Sequence, residues 1–186
     1  METGIRLRNQ VVEVRFDNRG SLVGIVDRRS GRTYLTEPEF SGLFRVLAPV
    51  EGWDGRHGDS KDQAEVEFNR TSETSLEIRY PRIAFAPRKA DFDFNLSSSG
   101  VTERNRDRCS PPAEIRCVVT VDLQDEDIRL RLDVDNRSEA FLSDVLFPMI
   151  GGLGQETAGM DLVWPVQTQV QPRIVRTPFR SLGGDN

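Results

Sequence analysis

Residues 115–136 read IRCVVTVDLQDEDIRLRLDVDN, and this stretch decides the fold class. Apolar residues occupy alternate positions on both sides of an acidic turn at 125–127, which is the period of an extended strand rather than that of a helix. The apolar row before the turn is Ile115, Cys117, Val119, Val121 and Leu123, and the row after it is Ile128, Leu130, Leu132 and Val134. The stretch therefore predicts an antiparallel hairpin whose strands each have one apolar face.

The same alternation recurs along most of the chain. It predicts further strands over residues 11–17, 22–26, 32–35, 43–47, 64–68, 76–80, 145–150 and 162–166. Residues 51–63, EGWDGRHGDSKDQ, predict a polar loop because they are rich in glycine. Residues 86–114 predict a long irregular loop, and residues 171–186 a C-terminal tail. Because no window keeps a 3.6-residue apolar period, we expect about nine to eleven strands and little or no helix.

These strands predict an all-β fold, an antiparallel β-sandwich formed by residues 1–186 as a single domain. Strand alternation gives each sheet one apolar face, and two such faces must cover each other. A length of 186 residues and a mass of 21.0 kDa suit one domain of ordinary size.

Composition excludes several classes of protein. The chain has 25 basic and 30 acidic side chains, a formal charge of −5, so we expect no nucleic-acid partner. It has no apolar run of about 18 residues, so we expect no membrane partner, and residues 1–9 lack the pattern of a signal peptide. The expected location is the cytoplasm, or outside the cell if the chain is a fragment of an exported protein.

The two cysteines have different predicted environments. Cys117 lies in the apolar row of its strand, which predicts a buried thiol, whereas Cys109 lies in the long polar loop. Two cysteines and one histidine do not supply a four-ligand zinc site, and the acidic residues match no calcium-loop spacing, so we expect no metal and no cofactor. A disulfide between the two cysteines is left open.

A resemblance to a known family is carried by three stretches. They are residues 5–35 (IRLRNQVVEVRFDNRGSLVGIVDRRSGRTYL), 127–154 (DIRLRLDVDNRSEAFLSDVLFPMIGGLG) and 161–169 (DLVWPVQTQ). Together they resemble the N-terminal β-supersandwich of bacterial glycoside-hydrolase-like proteins, a fold shared with galactose mutarotase. The pattern of a strand ending in N-x-S followed by F-P-x-I-x-G corresponds to Asn136, Ser138, Phe147, Pro148, Ile150 and Gly152.

The resemblance covers residues 5–170 and implies a carbohydrate-associated role. In such proteins a catalytic barrel of about 250 residues normally follows the sandwich, and 186 residues leave no room for one. The chain is therefore expected to be either a short variant or a truncated piece. Its expected partners are a carbohydrate, a downstream catalytic domain or a second copy of the chain.

One candidate carbohydrate-binding group lies in the glycine-rich segment. Trp53 offers a flat apolar surface to a sugar ring, while Asp54, His57 and Asp59 offer hydrogen bonds to its hydroxyls. The alternative is a surface loop whose tryptophan packs on a sheet edge. A second candidate pair, Trp164 and Gln167, has the alternative of a core tryptophan beside an outward amide.

No catalytic residue is assigned from the sequence. Mutarotase-type chemistry needs a matched acid and base, and the resembled family uses histidines with a glutamate, whereas this chain has His57 alone. The first hypothesis is therefore a non-catalytic accessory domain of a glycoside-hydrolase-like protein. Two alternatives remain: a sugar epimerase or glycosidase using His57 and loop carboxylates, and a structural module whose sheet edge mediates oligomers.

Overall fold

The computed structural model describes residues 4–49, 55–85, 111–153, 161–167 and 172–178, the last two ranges as backbone only. Within these ranges the chain forms twelve strands and two short 3-10 turns. The strands are β1 (Ile5–Arg8), β2 (Val12–Phe16), β3 (Leu22–Asp27), β4 (Arg45–Pro49), β5 (Gly55–Asp59), β6 (Glu67–Arg70), β7 (Ser75–Tyr80), β8 (Ile115–Gln124), β9 (Asp127–Asn136), β10 (Asp144–Leu146), β11 (Asp161–Gln167) and β12 (Pro172–Pro178). The 3-10 turns are Pro38–Phe40 and Ser60–Asp62.

These strands form antiparallel sheets, which confirms the predicted all-β class. Their orders are β1-β2-β3, β10-β4-β5, β6-β7-β8-β9 and β11-β12. Every strand pair within them is antiparallel. No helix in the described ranges has the length and apolar character needed to cross a membrane.

The β8–β9 hairpin forms as predicted, although Asp127, placed in the predicted turn at 125–127, is the first residue of β9. Ile115 pairs with Asn136 at one end and Gln124 with Asp127 at the turn, where Asp125 takes a positive φ of 50°. The apolar row of β8 is buried and its alternate residues are partly or fully exposed. Burial lowers the acidity of the Cys117 thiol and raises its pKa to about 12, in agreement with the predicted buried position. Cys109 lies outside the described residues.

The hydrophobic core is shared by the β1–β3 sheet, the β6–β9 sheet and the β4 region. The turn between β2 and β3 rests on β7, where the Tyr80 hydroxyl donates a 3.4 Å hydrogen bond to the Gly20 carbonyl. Gly20 has a φ of 79°, and a Cβ atom there would lie 2.5 Å from the Tyr80 hydroxyl. The rings of Tyr80 and Phe44 form a T-shaped pair, with an interplanar angle of 89° and ring centroids 5.0 Å apart. Each of these fully buried side chains contributes about 1.5–3 kcal/mol through burial of apolar surface.

The prediction of a polar loop at residues 51–63 is wrong for residues 55–62. Gly55–Asp59 is strand β5, paired with β4, and the 3-10 turn Ser60–Asp62 follows it. The glycine at position 58 reflects close packing rather than a loop, because an added Cβ would lie 2.5 Å from the Ile83 Cγ2 atom and 3.2 Å from a Val46 methyl. Residues 51–54 lie outside the described part.

Other predicted boundaries also change. Residues 32–35 form only isolated bridges, and the predicted strand at 145–150 is reduced to β10, since Pro148 has no N–H to donate. The predicted tail from residue 171 contains β12. Strands β1 and β5 were likewise not predicted, so the described strands number twelve rather than nine to eleven. Of the loop predicted at 86–114, residues 86–110 lie outside the described ranges, and Ala113 forms a bridge with Ile83.

Candidate functional site

The β4–β5 hairpin brings the described candidate residues together on one sheet face. Its register places Arg45 opposite Asp59 and Leu47 opposite His57. Directly opposed residues share a face, and residues two apart on a strand do as well. Arg45, His57 and Asp59 therefore occupy one face, while Val46 and the glycine at 58 face the core.

Arg45 and Asp59 form a two-pronged ion pair. The Arg45 Nε donates to Asp59 Oδ1 at 2.6 Å and its Nη2 donates to Oδ2 at 2.8 Å. The Asp59 side chain is 5% exposed and that of Arg45 is 25% exposed. The hydrogen bond to Asp59 raises the pKa of Arg45. Both carboxylate oxygens are thus engaged, and Asp59 holds the guanidinium in place rather than offering a free carboxylate to a ligand.

His57 is partly buried beside this ion pair. Burial lowers the pKa of His57; the Asp59 charge opposes the shift, and the Arg45 charge adds to it. The imidazole is therefore neutral near pH 7. In that state it both accepts and donates a hydrogen bond.

The turn after β5 is fixed by buried polar side chains. The Ser60 hydroxyl accepts a 2.9 Å hydrogen bond from the Leu43 backbone N–H. The Gln63 amide donates to the carbonyls of Asp59 at 2.8 Å and Ala84 at 3.1 Å, and it accepts from the Ala84 N–H at 2.7 Å. Because Lys61 lies between these two anchors, its backbone position is set by the fold.

Lys61 borders a surface pocket of about 310 Å³, here called the Lys61 pocket. The pocket lies where the β2–β3 turn meets the two 3-10 turns. Its lining residues are Asp17, Arg19, Ser21, Val23, Pro38, Glu39, Ser41 and Lys61. The Lys61 ammonium donates to the Glu39 carbonyl at 2.9 Å, and burial lowers the pKa of Lys61.

The rest of the pocket wall includes a turn held by hydrogen bonds and a buried hydroxyl group. One Asp17 carboxylate oxygen accepts hydrogen bonds from the backbone N–H groups of Arg19 at 2.9 Å and Ser21 at 2.8 Å, which fixes the β2–β3 turn. Ser41 is 1% exposed, and its hydroxyl has no hydrogen-bond partner among the described residues. The Lys61 pocket thus combines cationic, anionic and hydroxyl groups on a rigid frame.

The structure unites only part of the predicted carbohydrate-binding set. His57 and Asp59 lie together on β5, whereas Trp53 and Asp54 lie outside the described residues. Trp164 and Gln167 belong to β11, opposite Val175 and Pro172 of β12, in a range where only the backbone is described.

Several residues of this region were not anticipated from the sequence. Arg45 interrupts the apolar run from Leu43 to Leu47, and a charge in such a run is a signal that it is paired or outward. Lys61 is one of the chain's two lysines. Nothing in the sequence brings Lys61 near Ser41 or Glu39, since these residues meet only through strand pairing. In the described part of the chain, no group of three or more histidine, cysteine or acidic side chains is arranged to hold a metal ion.

Comparison with known proteins adds no relative. No protein-family model matches the chain, and no curated protein is significantly similar to it in sequence. The geometry of its own residues is therefore the basis on which a function is proposed.

Proposed function

We propose that this chain is a non-catalytic, carbohydrate-associated β-sandwich that holds a sugar residue in the Lys61 pocket. The proposal rests mainly on the convergence of ammonium, guanidinium, carboxylate and hydroxyl groups in a pocket of about 310 Å³. Each sugar hydroxyl both donates and accepts hydrogen bonds, so a polyol is satisfied by a wall that offers both kinds of partner. The volume lies at the lower end of the range for small-molecule sites, which suits a single sugar ring.

A binding role is favoured over the enzymatic alternative because the carboxylate beside His57 and the ammonium of the pocket are both already bonded within the fold. Asp59 is bound by Arg45, and the Lys61 ammonium donates to a backbone carbonyl. General acid–base chemistry at a sugar needs two groups free to exchange protons with the substrate. His57 is the one histidine of the chain, so the chain has no second histidine to serve with it in such chemistry.

The proposal includes the supersandwich type of fold and an accessory role beside a catalytic domain. It is supported by the structural roles of the N-x-S and F-P-x-I-x-G residues. The Asn136 Oδ1 atom accepts from the Ser138 N–H at 3.0 Å and its amide donates to the Ala140 carbonyl at 2.7 Å, which ends β9. The Gly152 carbonyl accepts from the Thr36 and Glu37 N–H groups, so this part of the pattern joins the segment after β10 to the segment before the first 3-10 turn.

Calorimetric titration against a panel of mono- and oligosaccharides, preceded by a glycan array, tests the binding proposal. Replacing Lys61 with methionine keeps the length of the side chain but removes the ammonium, so we expect sugar affinity to fall by about tenfold or more. Lys61→Arg should retain more affinity than Lys61→Met. Arg8→Ala, at an exposed position on β1, is the control and should bind as the wild type does.

Two further variants test the predicted aromatic contacts. If Trp53 or Trp164 stacks on the same ligand, alanine at that position should weaken binding without changing the melting temperature. A folded wild-type chain that binds no sugar would contradict the proposal. Turnover of a reducing sugar that disappears in His57→Ala would favour the enzymatic alternative instead.

A further inference from the structure

Strand β9 forms one edge of the four-stranded sheet. Its neighbour on one side is β8, and no described residue pairs with its other side. The Arg137 N–H donates to the Glu114 carbonyl at 2.8 Å, which continues the β8–β9 ladder by one residue. Because backbone groups alternate in direction along an antiparallel strand, odd-numbered residues of β9 bond to β8 and even-numbered ones direct their N–H and C=O groups outward.

The apolar side chains of β9 are less covered than those of β8. The inward side chains of β8 from Ile115 to Val121 are fully buried. The inward side chains of β9 from Ile128 to Leu132 are only partly buried. Val134 is 36% exposed. On this one strand, therefore, a backbone edge that no described residue pairs with coincides with a partly covered apolar row.

The charges of this strand are arranged antisymmetrically about Leu132. At one, three and five positions from Leu132, each basic or acidic residue is matched by one of opposite charge on the other side. The three matched pairs are Arg131 with Asp133, Arg129 with Asp135, and Asp127 with Arg137.

We propose that β9 pairs antiparallel with β9 of a second copy of this chain, about a twofold axis at Leu132. In that register Arg131 faces Asp133 of the second copy, Arg129 faces Asp135, and Asp127 faces Arg137. The outward backbone groups of Leu132 meet those of its own counterpart, and Leu130 lies beside Val134 of the second copy. Pairing thus supplies hydrogen-bond partners for the outward backbone groups of β9, covers its apolar row and opposes unlike charges at each charged position.

Neighbouring registers do not share this complementarity. A shift that keeps the apolar face inward moves the pairing by two residues. In one direction it places Arg131 opposite its own counterpart, and in the other it places Asp133 opposite its own counterpart. The charge pattern therefore selects both the twofold symmetry and the register.

The ion pairs already present along β9 and at Arg137, the residue after it, do not prevent pairing between two copies of the strand. Arg131 bonds to Asp133 at 2.9 Å and Arg137 to Asp135 at 2.8 Å, and all four side chains are between 48% and 73% exposed. Exposed pairs of this kind contribute little to stability. Charges on an edge strand often serve to discourage pairing, but here their signs match a second copy of the same strand.

Light scattering coupled to size-exclusion chromatography, with the full chain over a micromolar concentration series, tests the proposal. The wild type should approach twice the 21.0 kDa chain mass as concentration rises. The Arg131→Asp chain and the Asp133→Arg chain each oppose like charges in their own dimer, so each alone should have a dimer dissociation constant at least about tenfold higher. An equimolar mixture of the two restores unlike pairs between chains and should return to the dimer mass.

Mixing the two variants distinguishes a loss of association from a loss of folding. The Arg131–Asp133 ion pair within β9 is lost in both variants, and mixing does not restore it. Glu67→Arg, on the opposite edge strand β6, is the matched charge-reversal control and should associate as the wild type does. A wild type of 21.0 kDa at every concentration would overturn the proposal, as expected if another segment of the chain covers β9. A mixture that stays monomeric while the wild type dimerises would overturn the Leu132 register.

Discussion

At the scale of single residues, the region around β5 is governed by how buried charges are compensated. Arg45 and Asp59 are removed from water together, and the guanidinium satisfies both carboxylate oxygens. A buried charge without its partner is costly, so each of the two residues stabilises the position of the other. The same pair sets the electrostatic environment of His57.

Replacing Asp59 with alanine should therefore destabilise the fold by about 2–4 kcal/mol, because Arg45 loses its partner while remaining largely covered. Urea unfolding measured by tryptophan fluorescence or far-ultraviolet dichroism gives the free energy of unfolding. Glu65→Ala is the matched control, since Glu65 forms an exposed pair with Arg82 and its removal should cost about 0–1 kcal/mol. Equal losses in the two variants would contradict the structural role of the buried pair.

His57 predicts a pH dependence of stability in the weakly acidic range. Its pKa in the folded chain is lowered below the ordinary value of 6.5, so the unfolded chain binds the proton more tightly. This stability is present above pH 6.5 and is lost as the pH falls through the folded-state pKa. The free energy of unfolding of the wild type should thus decline between pH 7.5 and pH 5.5 more than that of His57→Gln, as measured by urea titration at each pH. Parallel pH profiles would show that His57 is not held neutral by burial.

At the scale of elements, alternation of apolar residues predicted strands wherever side chains mark both faces. The β8–β9 hairpin shows this, because every second residue of β8 is apolar and buried. Strand β5 shows the limit of the pattern. Its sequence is GRHGD, with glycine at the inward position 58, so the element has no apolar row to detect. Its strand conformation follows from pairing with β4 and from the absence of space for a side chain.

The close packing at position 58 is testable by substitution. Valine at Gly58 would bring a side chain against Ile83 and the Ala84 carbonyl, so we expect destabilisation by about 1–3 kcal/mol, measured by thermal or urea unfolding. Gly24→Ala, within strand β3, is the control, because the atoms nearest to a Cβ there belong to the flexible Arg15 side chain, at 3.3 Å or more. If both variants unfold alike, steric exclusion does not explain the glycine at 58.

At the scale of the whole molecule, the sheets share one hydrophobic core, and some of its contacts between sheets are marked by no local pattern. Tyr80 links the β6–β9 sheet to the β2–β3 turn through Gly20 and to the β4 region through Phe44. The Lys61 pocket and the β9 edge lie on different parts of the same sandwich. Sugar binding and self-association are consequently separable: Lys61→Met should leave the dimer intact, and Arg131→Asp should leave the pocket intact.

Alternating polarity along the chain was enough to predict the all-β class, the β8–β9 hairpin and the burial of Cys117, because this pattern acts within a strand and its nearest neighbour. The sequence also holds the antisymmetric charges of β9. Three-dimensional packing was needed to show that Asp59 is paired with Arg45, that the glycine at 58 lies in a strand, and that Lys61 lines one pocket with Ser41 and Glu39. Those contacts depend on which distant segments pair and on the space left between packed side chains. The local pattern of polar and apolar residues predicts neither of these.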